Sequence, residues 1–458
     1  MNDITRTLRD SKTARWGALA VVSFTMLTGY YINYVISPLK PYLEEYLNWN
    51  STDFGIWNGA YGFFNVFFFM LIFAGIILDR MGVRFSGITA SLTMIIGTVL
   101  QYAAIKQLIP IGGEIFGLKS QIAIGALGFG VFGVGVEMAG ITVSKIIVKW
   151  FKGKELALAM GLEMATARMG TALALAVPAP LALALGKDGI PNISAPVMLG
   201  LGLLVAGFFA FLWYITMDKK LDKSISDAEQ DSDEDKFKLK DIVFIISNRG
   251  FWLIAFLCVL FYSGVFPFLY YAADLMVNKY GVDPKFAGSI PALLPFGTIL
   301  LTPLFGNIYD RKGKGATIML IGSVMLLLVH SVFSVPFLNN SILAIVLIML
   351  LGVTFSLVPS AMWPSVPKII PEKQLGTAYA LIFWVQNWGL MGMPLLIGFV
   401  LEKYCKVTDE AGNFSHYDYT IPMMIFATAG ALAIIIAIWL KAEDKRRSYG
   451  LELPNIEK

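Results

Sequence analysis

The sequence predicts an all-α membrane protein with twelve transmembrane helices arranged as two six-helix bundles. Of its 458 residues, 57% are hydrophobic and only 15% are charged, and the mean hydropathy is +0.68. Soluble domains are far less apolar than this. The apolar residues fall into twelve runs of about 20 residues or more, the length that crosses the hydrocarbon core of a bilayer. A polar, acidic stretch divides these runs into two sets of six.

The first set of spans precedes the acidic stretch. Its first run starts at Trp16, follows a polar and basic segment, and is too long for the core of a signal peptide, so we expect no cleaved segment. The six predicted spans are Trp16–Ile36, Trp57–Leu78, Phe85–Ile105, Gln121–Val148, Leu156–Leu185 and Ala195–Met217.

The second set follows a predicted linker. Residues 227–235 carry six carboxylates and almost no apolar side chain, so we expect a flexible segment there. We assign residues 1–217 to an N-terminal six-helix bundle, 218–249 to a cytosolic acidic linker, and 250–458 to a C-terminal six-helix bundle and tail. The spans of the second set are Phe251–Val277, Phe286–Tyr309, Ala316–Phe337, Ile342–Val366, Leu375–Leu401 and Tyr419–Leu440.

Lysine and arginine cluster at the span ends that share one side of the membrane. By the positive-inside rule we expect both termini and the linker in the cytosol. The N-terminus carries no acidic dileucine sorting signal and the loops are compact, so we expect the cell membrane rather than a lysosomal membrane. The clusters lie within residues 6–15, 80–84, 149–154, 311–314 and 445–447.

A short charged loop occurs once in each half. GIILDRMGVR at 75–84 follows the second span, and GNIYDRKGK at 306–314 follows the eighth span, 231 residues later. Glycine permits a tight turn, and aspartate can cap a helix or pair with a base. We expect these loops to act in gating. The predicted gating residues are Gly75, Asp79, Arg80, Gly82, Arg84, Asp310 and Arg311.

The duplicated loop resembles the GxxxDRxGxR signature of the major facilitator superfamily. The resemblance implies a twelve-helix alternating-access transporter, and such folds bind substrate between their halves near the midplane. A second repeat aligns GKELALAMGLEMATARMG, ending at Gly170, with EKQLGTAYALIFWVQNWG, ending at Gly389. On this alignment Arg168 corresponds to Asn387 and Glu137 to Ser356. The first half alone therefore carries the charges.

Two opposite charges lie deep in consecutive apolar spans. Glu137 is near the middle of the fourth span and Arg168 near the middle of the fifth, so we expect them at the same depth. An ionised side chain at the bilayer centre costs about 2.5 to 3.5 kcal/mol on insertion scales. Two of them predict a polar, water-filled cavity with a substrate-binding role. The alternative is an internal salt bridge that only locks the two helices together.

Three longer runs resemble the lysosomal dipeptide transporters of the superfamily and their bacterial relatives. They are WFKGKELALAMGLEMATARMG from Trp150, FYSGVFPF from Phe261 and AMWPSVPKIIPEKQLGTAYALIFWVQNWGL from Ala361. In that family a glutamate on helix four and an arginine on helix five are associated with the charged ends of the peptide. Glu137 and Arg168 fall in the matching segments, and Trp363 matches a binding-site residue.

The chemistry of these residues fits a zwitterion. A short peptide needs an acceptor for its ammonium and a donor for its carboxylate, and Glu137 and Arg168 supply one each. Trp363, Tyr262 and Phe266 would form apolar walls that tolerate different side chains. Polar groups at Gln386 and Asn387 could line the cavity or bond between helices. The predicted substrate-binding residues are Glu137, Arg168, Trp363, Tyr262, Phe266, Gln386 and Asn387.

The predicted function is transport of dipeptides or similar small zwitterions, as a uniporter, which is the mode that the family resemblance suggests. The alternative is a proton-coupled or exchange transporter of small organic anions, in which Arg168 binds a carboxylate and Glu137 carries the proton. A membrane enzyme is disfavoured because no cluster of His, Cys, Asp or Glu has catalytic or metal-ligand spacing. We expect a monomer in contact with membrane lipid, with no cofactor, metal or nucleic-acid partner.

Three further ionisable residues lie within the predicted spans. Glu163 and Arg168 lie five positions apart, about 140° around a helix, so we expect Glu163 to face the cytosolic gate. His330 is a packing residue or a proton relay. Asp274 is a gate residue or a charge at a helix end.

Overall fold

The structure is a computed structural model, and it describes residues 8–108, 113–151, 154–224, 239–371 and 374–455. The acidic stretch predicted at 227–235 lies outside these residues. The described part of the first half contains nine α-helices. They are α1 (Lys12–Tyr34), α2 (Lys40–Leu47), α3 (Ser51–Gly59), α4 (Phe63–Phe67), α5 (Met70–Ile105), α6 (Ser120–Phe151), α7 (Leu156–Ala176), α8 (Pro178–Ala184) and α9 (Ala195–Ser224).

Each half also contains one short antiparallel hairpin, and the described part of the second half is otherwise built from helices. The hairpins are β1–β2 (Glu114–Ile115 and Leu118–Lys119) and β3–β4 (Lys406–Thr408 and Phe414–Tyr417). The remaining helices are α10 (Leu239–Ile246), α11 (Arg249–Ser263), α12 (Phe266–Tyr280), α13 (Leu293–Lys312), α14 (Gly315–Ser334), α15 (Ser341–Ile369), α16 (Leu375–Tyr404) and α17 (Thr420–Arg447).

The predicted number of spans agrees with the structure once two broken helices are taken into account. Within the described residues, 10 helical segments are long and apolar enough to cross a membrane, two of which join two of the helices given above, and α7 with α8, bent by 47°, makes 11. Helix α5 has 36 residues, about 54 Å of helix, which exceeds a hydrocarbon core of about 30 Å. Gly82 has non-helical angles (φ 76°, ψ 174°) inside it. The second and third spans therefore meet at Gly82, and the total is twelve.

The second span is interrupted where it packs against α16 of the second half. A 3₁₀ turn at Ala60–Gly62 separates α3 from α4, and Phe69 adopts a left-handed conformation (φ 52°) before α5. A Cβ at Gly59 would lie 2.8 Å from the carbonyl oxygen of Met391 on α16. A Cβ at Gly62 would lie 2.9 Å from that of Asn387. Glycine is needed at both positions because backbone meets backbone there.

Each half is a bundle of long helices. In the first half, α1 packs on α6, α7 and α9, and α5 packs on α6 and α9. In the second, α14 packs on α15 and α17, and α11 packs on α16 and α17. The halves meet through α3 on α16 and α7 on α13. The boundaries at 217 and 250 stay predictions, and the structure extends α9 as a helix to Ser224 and begins α10 at Leu239.

The turn at Gly82 predicts a contrast between two glycines of the same loop. Gly82→Ala should destabilise the protein by about 1 to 3 kcal/mol, because its dihedral angles are almost restricted to glycine. Gly75→Ala is the matched control, since Gly75 is helical and a Cβ there meets open space. We expect the control to melt at or slightly above the wild-type temperature. Equal melting temperatures of both variants in detergent would contradict this account of the turn.

Candidate functional site

Glu137 accepts a hydrogen bond from the second span. It lies near the middle of α6 and is partly buried. The Tyr61 hydroxyl, from the 3₁₀ turn of the second span, donates to Glu137 Oε1 at 3.0 Å. The side chain of Asn387, on α16 of the second half, lies near the Glu137 carboxylate. Asn65 Nδ2 in turn donates to Asn387 Oδ1 at 3.4 Å.

Arg168 on α7 rests on aromatic rings. Its guanidinium carbon lies 4.7 Å from the ring centroid of Phe355, 5.3 Å from that of Phe266 and 5.9 Å from that of Tyr30. Such contacts are attractive cation–π interactions. Within the described residues, no carboxylate lies within 4.0 Å of Arg168. The Glu137–Arg168 salt bridge, which was the alternative interpretation of these charges, is therefore not formed in this conformation.

The second half contributes an aromatic wall next to Arg168. Trp363 Nε1 donates to the Tyr262 hydroxyl at 3.0 Å, and the two rings are 6.3 Å apart. Tyr262 also packs on Phe266 at 5.3 Å and on Phe355 at 5.7 Å. The predicted residues Tyr262, Phe266 and Trp363 thus lie in one cluster. Phe266 joins this cluster directly to the Arg168 guanidinium.

The predicted polar residues Gln386 and Asn387 differ in their surroundings. Asn387 lies near Glu137 across the interface of the halves. Gln386 is buried and accepts from Cys258 Sγ at 3.5 Å, within the second half. This side-chain contact of Gln386 therefore lies within the second half and involves neither charge.

Sequence reasoning missed three aromatic residues of the site. Tyr30, Tyr61 and Phe355 contact the two charges. Tyr30 also lies within the electrostatic reach of Glu137, Arg168 and Glu163. A tyrosine inside an apolar span needs a partner for its hydroxyl, and that requirement was the available signal for Tyr30 and Tyr61. The sequence contains no such signal for Phe355, because phenylalanine is a common apolar residue of membrane spans.

The two halves are joined by a buried ion pair on one side of the molecule. We call the face where α1 begins and α17 ends the termini side, and the opposite face the far side. On the far side Lys40 Nζ lies 2.8 Å from Asp274 Oδ2 on α12 and 2.8 Å from Glu44 Oε1. The side chains of Lys40 and Asp274 are 0% and 1% exposed. Asp274 also accepts a hydrogen bond from the Tyr419 hydroxyl of its own half. Because it pairs with Lys40 of the first half, Asp274 is a residue of the contact between the halves.

On the termini side, the first signature loop pairs with its own half. Asp79 lies 3.3 Å from Lys145, and Arg84 pairs with Asp218 at 2.6 Å and with Asp222. Arg80 is exposed.

The second signature loop pairs with the C-terminal tail. Asn455 Nδ2 donates to Asp310 Oδ1 at 2.8 Å, and Arg311 is exposed. These contacts hold each loop to its own bundle, whereas Lys40 and Asp274 join the two bundles. On the far side, the Lys40–Asp274 ion pair therefore links the two halves.

Two other predicted residues have clear surroundings. His330 is buried, its Nε2 lies 2.8 Å from the carbonyl oxygen of Gly264, and its ring stacks on Phe426. It is a packing residue that satisfies a carbonyl at the break between α11 and α12. Glu163 is buried as well, and Arg168 is the charge that acts on it. The prediction that Glu163 faces a gate stays untested.

Comparison of the sequence with family models identifies the family of the chain. The model described as Major Facilitator Superfamily matches residues 19–394. The chain belongs to this superfamily. It is 28% identical to the lysosomal dipeptide transporter MFSD1 of Homo sapiens over 370 residues, 80% of this chain and 75% of the relative. It is also 22% identical to a hexuronate transporter of Bacillus subtilis over 437 residues, 92% of this chain and 93% of that one.

Solved structures of the superfamily share the fold. A crystal structure of the nucleoside transporter NupG matches with a TM-score of 0.64 at 15% identity, covering 94% of this chain and 99% of that one. A D-xylose-proton symporter matches with a TM-score of 0.68 at 14% identity, covering 93% and 97%. The expectation of a multi-pass transporter with the major facilitator fold, and not an enzyme, is confirmed.

The far-side ion pair predicts a non-additive pair of substitutions. Lys40→Met should lower stability by about 3 to 5 kcal/mol, because it leaves Asp274 buried without a counter-charge. Adding Asp274→Leu should recover part of that loss, because of the two carboxylates that pair with Lys40 only Glu44 then remains charged. The melting temperatures of the single and double variants in detergent provide the measurement. A double variant less stable than Lys40→Met alone would show that the ion pair is not what stabilises this contact.

Proposed function

We propose that this superfamily member carries dipeptides or similarly small zwitterions across the cell membrane. The observation that carries the proposal is the pair Glu137 and Arg168. They are opposite charges near the middle of adjacent spans, and they make no ion pair with each other. Arg168 faces aromatic rings of the other half, and Glu137 accepts a hydrogen bond from Tyr61. Two unpaired, opposite charges match the two ends of a zwitterion.

The groups around the charges fit the same substrate class. The Glu137 carboxylate is a strong acceptor for an ammonium, and the Arg168 guanidinium can hold a carboxylate through two parallel hydrogen bonds. The wall of Tyr262, Phe266 and Trp363 offers aromatic surface without charge, which suits varied side chains. The similarity to lysosomal dipeptide transporters supports a peptide rather than another zwitterion.

The carrier would work by alternating access. The ion pair between Lys40 and Asp274 closes the far side, while the signature loops on the termini side are held to their own bundles. By the positive-inside rule the termini side is cytosolic, so this conformation would be inward-facing. In the outward-facing conformation, Asp79, Arg80, Asp310 and Arg311 would form the cytosolic closure.

The proposed mode is uniport, with a proton-coupled carrier of small organic anions as the second candidate. The similarity to a hexuronate transporter and the buried carboxylate of Glu163 favour that second function. In uniport, only the substrate gradient drives movement, and neither Glu137 nor Glu163 needs to exchange a proton.

If Glu137 binds the amino terminus of the peptide and Arg168 its carboxylate, variants of these two residues should differ in which blocked peptides they still bind. Glu137→Gln should weaken binding of free dipeptides at least about tenfold, because a charge-assisted hydrogen bond contributes about 1.5 to 3 kcal/mol. It should spare peptides whose amino terminus is acetylated. Arg168→Ala should weaken binding of free dipeptides and spare peptides with an amidated carboxyl terminus. Binding is measured by thermal shift on purified protein, because a ligand stabilises the folded state.

The control for this experiment is the Tyr31→Phe variant, in which the lost hydroxyl bonds the Pro196 carbonyl oxygen, away from the two charges. It should keep the wild-type ranking of free, acetylated and amidated peptides. Equal loss of affinity for free and blocked peptides in both charge variants would contradict binding of the two peptide ends by Glu137 and Arg168.

The mode of transport predicts the response to a pH gradient. Liposomes that contain the protein should take up a tritiated dipeptide only until the inside and outside concentrations are equal. An imposed inward proton gradient should not raise this final level, because uniport moves no proton. Accumulation above the outside concentration would favour the proton-coupled alternative.

A further inference from the structure

The C-terminal tail, residues 448–455, pairs with the start of α14. The backbone amides of Lys314 and Gly315 donate to the carbonyl oxygens of Glu452 and Leu451 at 3.0 and 2.9 Å. The Leu451 side chain is 0% exposed. The ends of a chain are usually poorly ordered unless contacts of this kind tie them down. The tail is therefore an integral part of the termini side.

Glu452 caps α14 from outside the helix. The first backbone amides of a helix have no partner within it. Lys314 occupies the cap position of α14, and a lysine side chain has no acceptor for these amides. The Glu452 carboxylate accepts from the Thr317 amide at 2.8 Å and from the Thr317 hydroxyl at 2.9 Å. The tail therefore fixes the start of α14, directly after the second signature loop.

The tail also joins the ends of α13 and α15. Asn455 donates from its side chain to Asp310 Oδ1 at 2.8 Å and from its backbone amide to the Asp310 carbonyl oxygen at 3.0 Å. Lys368 Nζ, near the end of α15, donates to the carbonyl oxygens of Gly450 at 3.1 Å and Leu453 at 2.9 Å. One segment of eight residues therefore holds the termini-side ends of three spans.

The first half holds its signature aspartate differently. Asp79 lies 3.3 Å from Lys145 of α6. On the second repeat alignment Lys145 corresponds to Pro364, so the second half has no base at this position. Asp310, the counterpart of Asp79, is bonded by Asn455 of the tail. The tail thus supplies a partner that the spans of the second half lack.

Two more pairs of equivalent positions show the same difference. Lys149 pairs with Asp218 on α9 at 2.7 Å, whereas its counterpart Lys368 is held by the tail. A Cβ at Gly313 would lie 2.4 Å from a carbonyl oxygen of the tail. Within the described chain, a Cβ at the equivalent Gly82 meets open space. The second signature loop is therefore shaped to receive the tail.

We propose that the tail is a positioning segment that holds Asp310 and Arg311 in place for the cytosolic closure of the outward-facing carrier. The inference rests on the alternating-access function proposed above. Glu452 and Asn455 are the positioning residues, and their bonds lie at helix ends rather than at the level of the substrate site. A loop that is not held must be ordered at each closure, and the lost conformational entropy opposes that closure. Reorientation then slows while the substrate site keeps its geometry.

The test compares transport with binding in variants of the tail. Wild type, Glu452→Ala and Asn455→Ala are reconstituted in liposomes, the initial rate of uptake of tritiated alanyl-alanine is measured, and its affinity is measured by thermal shift. Glu452→Gln is the conservative variant, because its amide oxygen can still accept from the Thr317 amide. Leu453→Ala is the matched control, since that side chain is 64% exposed and the carbonyl oxygen that bonds Lys368 remains.

We expect the initial rate to fall about tenfold in Glu452→Ala and Asn455→Ala, as for loss of one hydrogen bond to a charged group. The affinity for alanyl-alanine should stay within about twofold of wild type. Glu452→Gln and Leu453→Ala should keep the wild-type rate. Wild-type rates in both alanine variants would overturn the inference. So would a parallel loss of rate and affinity, which is the result expected of a tail that only stabilises the fold.

A second readout needs no substrate. Spin labels are attached to cysteines introduced by Met81→Cys and Lys312→Cys, which lie at exposed positions in the two signature loops, whereas the native Cys258 and Cys405 are buried. The two alanine variants should lower the ratio of short to long distances between the labels about tenfold. Unchanged distance distributions in both variants would overturn the inference whatever the substrate is. A wild type that neither binds nor transports any dipeptide would instead overturn the proposed function.

Discussion

The presence of two ionised side chains in an apolar helix bundle is the constraint on which the rest of this structure depends. Each charge costs about 2.5 to 3.5 kcal/mol at the bilayer centre if nothing covers it. Hydrogen bonds to a charge contribute about 1.5 to 3 kcal/mol, and a cation–π contact contributes about 0.5 to 2 kcal/mol. The free energy contributed by the hydrogen bond to Glu137 and by the rings around Arg168 is therefore comparable to the cost of placing each charge in the membrane, so the two charges need not pair with each other.

That constraint explains why the halves approach so closely beside the site. Asn387 lies near Glu137 because α16 packs against the interrupted second span, and Gly59 and Gly62 allow this contact. The interruption itself would expose backbone carbonyls within the membrane, which is costly unless another group bonds them. Trp384 of α16 donates to the Val66 carbonyl oxygen at 3.1 Å, so the same helix satisfies both requirements.

The fold and the two central charges could be predicted from the sequence, but their contacts could not. Hydropathy and the duplicated loop predicted twelve spans because both signals are local. The groups around the two charges come from distant segments of the chain. Phe266 and Asn387 belonged to the predicted site, whereas Tyr61 and Phe355 did not. Lys40 was missed because it lies after the predicted first span, although its partner Asp274 was a gate candidate.

Locating a bound dipeptide in an experimental structure of the protein tests the central claim most directly. The account predicts the peptide nitrogen at about 3 Å from a Glu137 carboxylate oxygen and the peptide carboxylate within the same distance of the Arg168 guanidinium. The ligand would lie beside Tyr61 and against the wall of Tyr262, Phe266 and Trp363. A peptide bound elsewhere, with Glu137 and Arg168 paired to each other, would contradict it.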